Sequence, residues 1–401
     1  MGTRRRWRAI AMVLAAWAGL GSGAPAAETI RIGGAIPTTG PLQVYGEAIV
    51  RALQLAVEEI NSQGGVLGRE LELVVADTAT NPQVGVEAAK RLVAVDGAVA
   101  LIGALSSGVT IPIATTVAAV EGVPQISPAS TSPVITTLED RGFLFRTTPS
   151  DALQGRILGR LVAERGLGRV AVIYVNNDYG KGLAEAFAAA YPGEVTASVA
   201  YEEKQASYRA ELQRAAAGDP EALVMIAYPG DGIPMLRQAL EEGFFTRFVF
   251  TDGMKAQEVV DAIGAPLEGA FGTAPTGDPE AEAAQRFRRA YEARFGELPP
   301  QPFMDSAYDA LYLLALAIER AGSTDGTAIR DALHRVAGPP GERILPGAWT
   351  KAREILAGGG EVDYEGAAGP QDFDAHGDVP GLYEQWEIRD GAIVTVGVIR
   401  P

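Results

Sequence analysis

The sequence predicts an α/β protein made of two doubly wound, parallel-sheet halves. Three observations carry this. Short β-rich runs alternate with helical patterns along residues 29–127, the alternation pauses in a Ser-, Thr- and Pro-dense stretch at 128–150, and it resumes over 151–275. Strands that alternate with helices are joined by crossovers, and these lay helices on both faces of a parallel sheet.

Each element has its own warrant. "TIRIGGAI" at 29–36 reads as a strand. Residues 46–61 read as a helix, because Ile49, Leu53, Val57 and Ile60 fall on one face. "ELELVVAD" at 70–77 is a second strand, and 82–95 is helical after Pro82. "AVALIG" is a strand, 107–121 a helix and "VPQIS" a short strand. In the second half, helices at 151–165, 180–191, 207–217 and 231–242 precede the strands "RVAVIYV", "EVTASVAY", "EALVMIAY" and "RFVFTD", and a strand-like "GAFGTAP" closes the series. Residues 279–336 read as almost wholly helical, with an amphipathic run at 303–321, and 338–370 are rich in Gly and Pro with one helix near 348–357. "YEQWEI" and "AIVTVGV", joined at Asp390-Gly391, read as a terminal β-hairpin.

The first residues read as an export signal. Arg4, Arg5, Arg6 and Arg8 form a basic head, Ala9–Leu20 an apolar stretch too short to span a bilayer, and Ala24-Pro25-Ala26 a small-x-small cleavage site. The head also resembles a twin-arginine signal, so either export route is open. The whole chain carries −16; the signal holds four positive charges and no acid, so residues 27–401 carry −20. Such a surface repels phosphate backbones and anionic lipid, which excludes nucleic acid as a partner. There is no cysteine, so the exported fold has neither a disulfide nor a thiol-linked lipid.

Candidate binding residues gather just past predicted strand ends, where open α/β sheets bind ligands. They are Ser106 and Ser107 in "IGALSSG", Ser130 and Thr131 in "ISPASTSP", Tyr179 in "NNDYGKG", Tyr228 in "IAYPGDG" and Asp252 in "FTDGMKA". Hydroxyls that open helices suit a carboxylate, although each also serves as an ordinary N-cap. An Asp suits an ammonium through a charge-assisted bond, and is equally at home in a solvated turn. Together they suit a small zwitterion. Catalytic chemistry finds no support. His334 and His376 lack partners at metal-ligand spacing, and no Gly-x-Ser-x-Gly elbow or Gly-x-Gly-x-x-Gly turn is present. "DFDAHGD" at 372–378 lacks the closing Glu of a calcium loop and reads as a turn. No metal or cofactor is expected.

The residues also resemble, motif by motif, those of a known family. In the order "IGGAIPTTGPLQVYGEAIVRALQLAVEEINSQGGVLGRELELVVAD", "RLVAVDGAVALIGALSSG", "GVPQISPASTSP", "YGKGLAEAF", "PMLRQALEEGF" and "VDYEGAAGPQDFDAHGDVPGLYEQWEI", the chain resembles the periplasmic substrate-binding proteins of branched-chain amino acid ABC transporters over residues 29–400. The resemblance implies a type I periplasmic-binding fold, two lobes joined by three crossover segments near 147–150, 274–278 and 381–384. It implies a signal at 1–26, a first lobe of 27–148 and 277–382, and a second lobe of 149–276 and 383–401. It implies that Ser107, with Ser106 beside it, holds an α-carboxylate, that the Ala129 carbonyl receives an α-ammonium, and that Thr131 touches both. Asp252 falls where relatives often carry Glu facing the ammonium. Tyr45, Leu105, Ser106, Tyr179, Tyr228 and Phe303 fall on the walls around the ligand side chain. A monomeric, periplasmic, non-enzymatic protein that delivers a neutral, aliphatic or branched-chain amino acid to a membrane permease is implied. The alternatives are a ligand-sensing receptor subunit, or a binding protein for an amide, urea or an aromatic acid.

Overall fold

The structure, a computed structural model, describes residues 29–400. The export signal read at 1–26 lies outside the described residues. The first sheet holds β1 (Ile30–Ile36), β2 (Leu71–Asp77), β3 (Ala100–Gly103), β4 (Gln125–Ser127) and β5 (Leu144–Arg146) in the order β2-β1-β3-β4-β5. All its pairings are parallel. The second sheet begins with β6 (Arg169–Val175), β7 (Glu194–Tyr201), β8 (Ala222–Ile226), β9 (Phe248–Phe250) and β10 (Phe271–Thr276). A small sheet follows, of β11 (Glu342–Ile344), β12 (Val362–Gly366) and β13 (Gly369–Pro370). The last strands, β14 (Leu382–Arg389) and β15 (Ala392–Ile399), join the second sheet, whose order is β15-β14-β10-β9-β8-β6-β7. Its five parallel strands therefore repeat the order of the first sheet, and this is the two-lobed type I periplasmic-binding fold.

Local chemistry explains the elements. Apolar runs such as "RVAVIYV" of β6 are buried except at Arg169 and Tyr174, as strands covered on both faces require. The helix Gln43–Ser62 starts hard against the end of β1: a Cβ on Gly46 would lie 1.9 Å from the Pro37 carbonyl oxygen, so only glycine permits that approach. Apolar positions at helical spacing then bury Ile49, Leu53 and Ile60 against the sheet. The helix Met304–Ala321 is buried almost all round, and it packs on Gln43–Ser62, on Gly326–Val336 and on β3. It belongs to the first lobe although the second lobe precedes it in the chain.

The chain passes between the lobes after β5, after β10 and before β14. The helix Asp151–Glu164 already packs on Asp178–Ala190 and β10. The first and third passages are clamped together. Arg146, with a fully buried side chain, reaches Asp378 through Nε and Nη2 (2.7 and 2.6 Å) and donates to the Ser132 carbonyl at 3.0 Å.

Several sequence expectations need correction. Residues 128–150 contain a fifth strand, β5, only three residues long. Within the same stretch Ser132 opens a 3-10 turn, Pro133–Thr137. The helix expected over 107–121 runs as α-helix from Ser107 to Ile113, carries Pro112, and widens into a π-helical turn at Ala114–Ala118, where the Thr115 and Thr116 hydroxyls donate to the Ile111 and Pro112 carbonyls. Residues 279–336 split into Glu282–Phe295, Met304–Ala321 and Gly326–Val336. The hairpin makes the second sheet mixed, since β14 pairs antiparallel to β10. "DFDAHGD" is the turn that its sequence suggests, held by Asp374, whose carboxylate accepts the His376 and Asp378 amides.

Candidate ligand-binding cleft

The ends of β3, β4, β6, β8 and β9 deliver their following residues to one small cavity between the lobes. Leu42, Tyr45, Leu105, Ala129 and Phe303 line it from the first lobe, and Tyr179, Tyr228, Asp252 and Gly253 from the second. It is a nearly closed pocket of about 20 Å³, far too small for a peptide. A larger hollow of about 530 Å³ opens beside Pro302 and Met304, but it is a trough whose buried cation, Lys255, is already paired with Glu384. The smaller cavity is where hydroxyls and unpaired carboxylates converge.

The lobes meet across it. Tyr45 Oη donates to the Asp252 carbonyl at 2.7 Å, and Ser106 Oγ lies 3.0 Å from Tyr228 Oη. Replacing Tyr45 by Phe removes one such bond from the closed form; ligand affinity measured by calorimetry should fall about three- to tenfold, the equivalent of about 1 kcal/mol.

The second lobe supplies charge. Tyr179 Oη donates to Asp252 Oδ1 at 3.0 Å, lies 2.8 Å from Thr251 Oγ1, and stacks on Tyr228 with ring centroids 5.5 Å apart. Gly253 allows this closeness, since a Cβ there would lie 2.5 Å from the Ala227 carbonyl oxygen. Burial pushes the Asp252 carboxyl up to about 6, against hydrogen bonds from Tyr179 and Gln154 that hold it down. Asp151, at the first turn of Asp151–Glu164, is the residue the sequence reading missed. Its side chain is fully buried, Oδ2 accepts from Thr131 Oγ1 at 2.8 Å, and Oδ1 has no hydrogen-bond partner among the described residues. Burial first, then the charge of Asp252, holds its carboxyl well above the usual range, while the Thr131 bond and the more distant Arg146 charge oppose this. Two buried carboxylates thus sit together with no cationic side chain among the described residues bonded to either. Such a pair calls for a cation with several donors.

The first lobe supplies hydroxyls. Ser107 Oγ accepts from the Ser132 amide at 3.2 Å, and Thr131 is turned to Asp151. Ser106 stands at the N-cap of Ser107–Ile113, yet its side chain makes no cap and turns to Tyr228 instead. Ser130 braces the loop from behind, bonded to Thr110 Oγ1 at 2.7 Å and the Leu105 carbonyl at 3.1 Å. Phe303 holds a left-handed φ of 79° at the N-cap of Met304–Ala321, a strained conformation for a non-glycine residue at the cavity wall. The cavity thus gathers seven of the ten expected residues on its lining, with Ser106, Ser107 and Thr131 bonded to protein groups around it.

The model of the periplasmic binding protein family matches residues 29–353. The chain belongs to that family. This periplasmic binding protein is 33% identical over 349 residues to the leucine-, isoleucine-, valine-, threonine- and alanine-binding protein of Pseudomonas aeruginosa, covering 83% of this chain and 88% of the relative. It is 28% identical to the chemotactic signal transduction system substrate-binding protein BasB of Halobacterium salinarum, over 92% of this chain and 89% of that one. Among solved structures it resembles the branched-chain amino acid transporter substrate-binding protein LivJ of Streptococcus pneumoniae in complex with isoleucine. The TM-score is 0.78 at 26% identity, covering 93% of this chain and 100% of that one. No helix among the described residues is long and apolar enough to cross a membrane.

Proposed function

We propose that this periplasmic binding protein captures a neutral α-amino acid between its lobes and delivers it to the permease of an ABC transporter. The observation that carries the reading is the pair of buried carboxylates, Asp151 and Asp252, which stands without a bonded cationic side chain among the described residues, opposite a hydroxyl-bearing lobe. In this reading Asp252 and Asp151 hold the α-ammonium with the Ala129 carbonyl, and Ser107 and Thr131 hold the α-carboxylate. The remaining wall of Leu42, Tyr45, Leu105 and Phe303 takes the side chain. Each lobe alone satisfies half of a zwitterion, so the ligand favours the closed form through contacts made only there. No bond is made or broken. The named ligands of the Pseudomonas aeruginosa relative support an amino acid, and the BasB likeness supports a sensing role alongside transport. Residues 1–26 would direct the protein to the periplasm.

A thermal-shift screen over the amino acids, urea, simple amides and aromatic acids tests this. An amino acid at a hundred times its dissociation constant should stabilise the protein by about 2.7 kcal/mol. Stabilisation by amides or aromatic acids but by no amino acid overturns it.

The carboxylates also set a pH dependence. Asp252 is raised when folded and unliganded, so its contribution to unliganded stability is present at low pH and is lost as pH rises through about 6. An ammonium reverses the sign, because it favours the ionised carboxylate. Amino acid affinity should therefore weaken as pH falls from neutral, with protons released on binding, read by calorimetry in buffers of different ionisation enthalpy.

A further inference from the structure

The wall around Tyr228 carries a hydroxyl proton that the protein itself does not use. Asn177 caps the helix Asp178–Ala190 with its carbonyl, Oδ1 accepting from the Gly180 amide at 3.1 Å. That fixes which way its side chain points. The NH2 group faces the other way, 3.3 Å from Tyr228 Oη and 3.4 Å from Glu203 Oε1. An amide NH2 can only donate, so Tyr228 keeps its own proton while accepting from Asn177.

Tyr228 Oη and Ser106 Oγ, 3.0 Å apart, then share a single hydrogen bond. Two hydroxyls bring two protons, and the bond between them uses one. Whichever of them donates, the other retains an O–H for which there is no acceptor among the described residues. Ser106 is 4% exposed and Tyr228 3%, so bulk water does not take up that donor. A buried donor left unsatisfied is costly, and of the two residues Tyr228 lines the cavity. Ser106 reaches this position by giving up the N-cap role its place in the chain offers. Leu42, Leu105 and Phe303 add only apolar side chains to the lining, and the Tyr45 hydroxyl is already committed to the Asp252 carbonyl.

Resting on the amino acid reading above, we propose that the Ser106–Tyr228 pair selects amino acids with a side-chain oxygen, a hydroxyl or an amide carbonyl, over purely aliphatic ones of the same size. Threonine and valine make the comparison clean, since they differ in shape by little more than a hydroxyl in place of a methyl. A wall that hydrogen-bonds a ligand oxygen discriminates against the analogue lacking it far better than an apolar wall discriminates by size.

Either single truncation leaves one unused O–H behind, so the informative variant is Ser106→Ala combined with Tyr228→Phe. Calorimetry on the purified wild-type protein should find L-threonine bound at least about tenfold more tightly than L-valine. In the double variant that ratio should fall by about tenfold or more, whichever way the two absolute affinities move. A wild-type protein that prefers valine overturns the inference without any appeal to the variant, and so does a variant ratio within roughly threefold of the wild-type one. A wild-type protein that binds no α-amino acid, alanine included, instead overturns the amino acid reading, and this inference with it.

Discussion

Asp252→Asn is expected to weaken amino acid binding by about tenfold, because the ligand ammonium loses the carboxylate charge opposite it and keeps only a bond to a neutral carbonyl. Calorimetry on the purified variant reads this directly. The ligand-free protein should respond in the opposite sense. Asp252 is buried beside a second carboxylate, so the amide relieves repulsion and desolvation, and the unliganded melting temperature at neutral pH should hold or rise. Asp151→Asn should follow the same pattern with a smaller affinity loss, since one of its oxygens already serves Thr131. Unchanged affinity in both variants would remove the ammonium role from this pair.

Arg146→Met is expected to cost about 3–5 kcal/mol of stability in urea unfolding, as breaking one side of a buried ion pair does. The guanidinium is fully buried; its loss strands Asp378 and the Ser132 carbonyl at the place where two interlobe passages are tied together. Combining it with Asp378→Leu should recover part of the loss, since no uncompensated charge then remains. Additive losses would show that the two residues act independently.

What the sequence reveals follows the range of each signal. Long apolar runs such as "RVAVIYV" and "ELELVVAD" announce strands, because a buried strand needs no partner to be recognised. β5 escapes because Leu144-Phe145-Arg146 is too short for any periodicity, and its arginine argues against burial until Asp378 is seen to meet it. Asp252 is visible as a carboxylate at a strand end. Asp151 is not, since an acid in the first turn of a helix is ordinary helix chemistry. Only the fold brings it to Thr131 and within reach of the Asp252 charge. Ser106 misleads in the other direction. Its position says cap, and the competing hydroxyl of Tyr228, 122 residues away, overrides it.

The late arrival of Met304–Ala321 and of β14 bears on how the molecule comes into being. Neither lobe is complete when its own run of strands has been synthesised. The first still lacks the helix that buries its face, and in the second β10 is left with one edge bare until residue 382 has emerged. A nascent chain therefore has no finished unit to collapse into until almost all of it is made. Folding waits on contacts between distant parts of the sequence, which makes it slow. A truncation ahead of β14 should be recovered as aggregate rather than as a lone lobe, because an unpaired central edge seeks another strand.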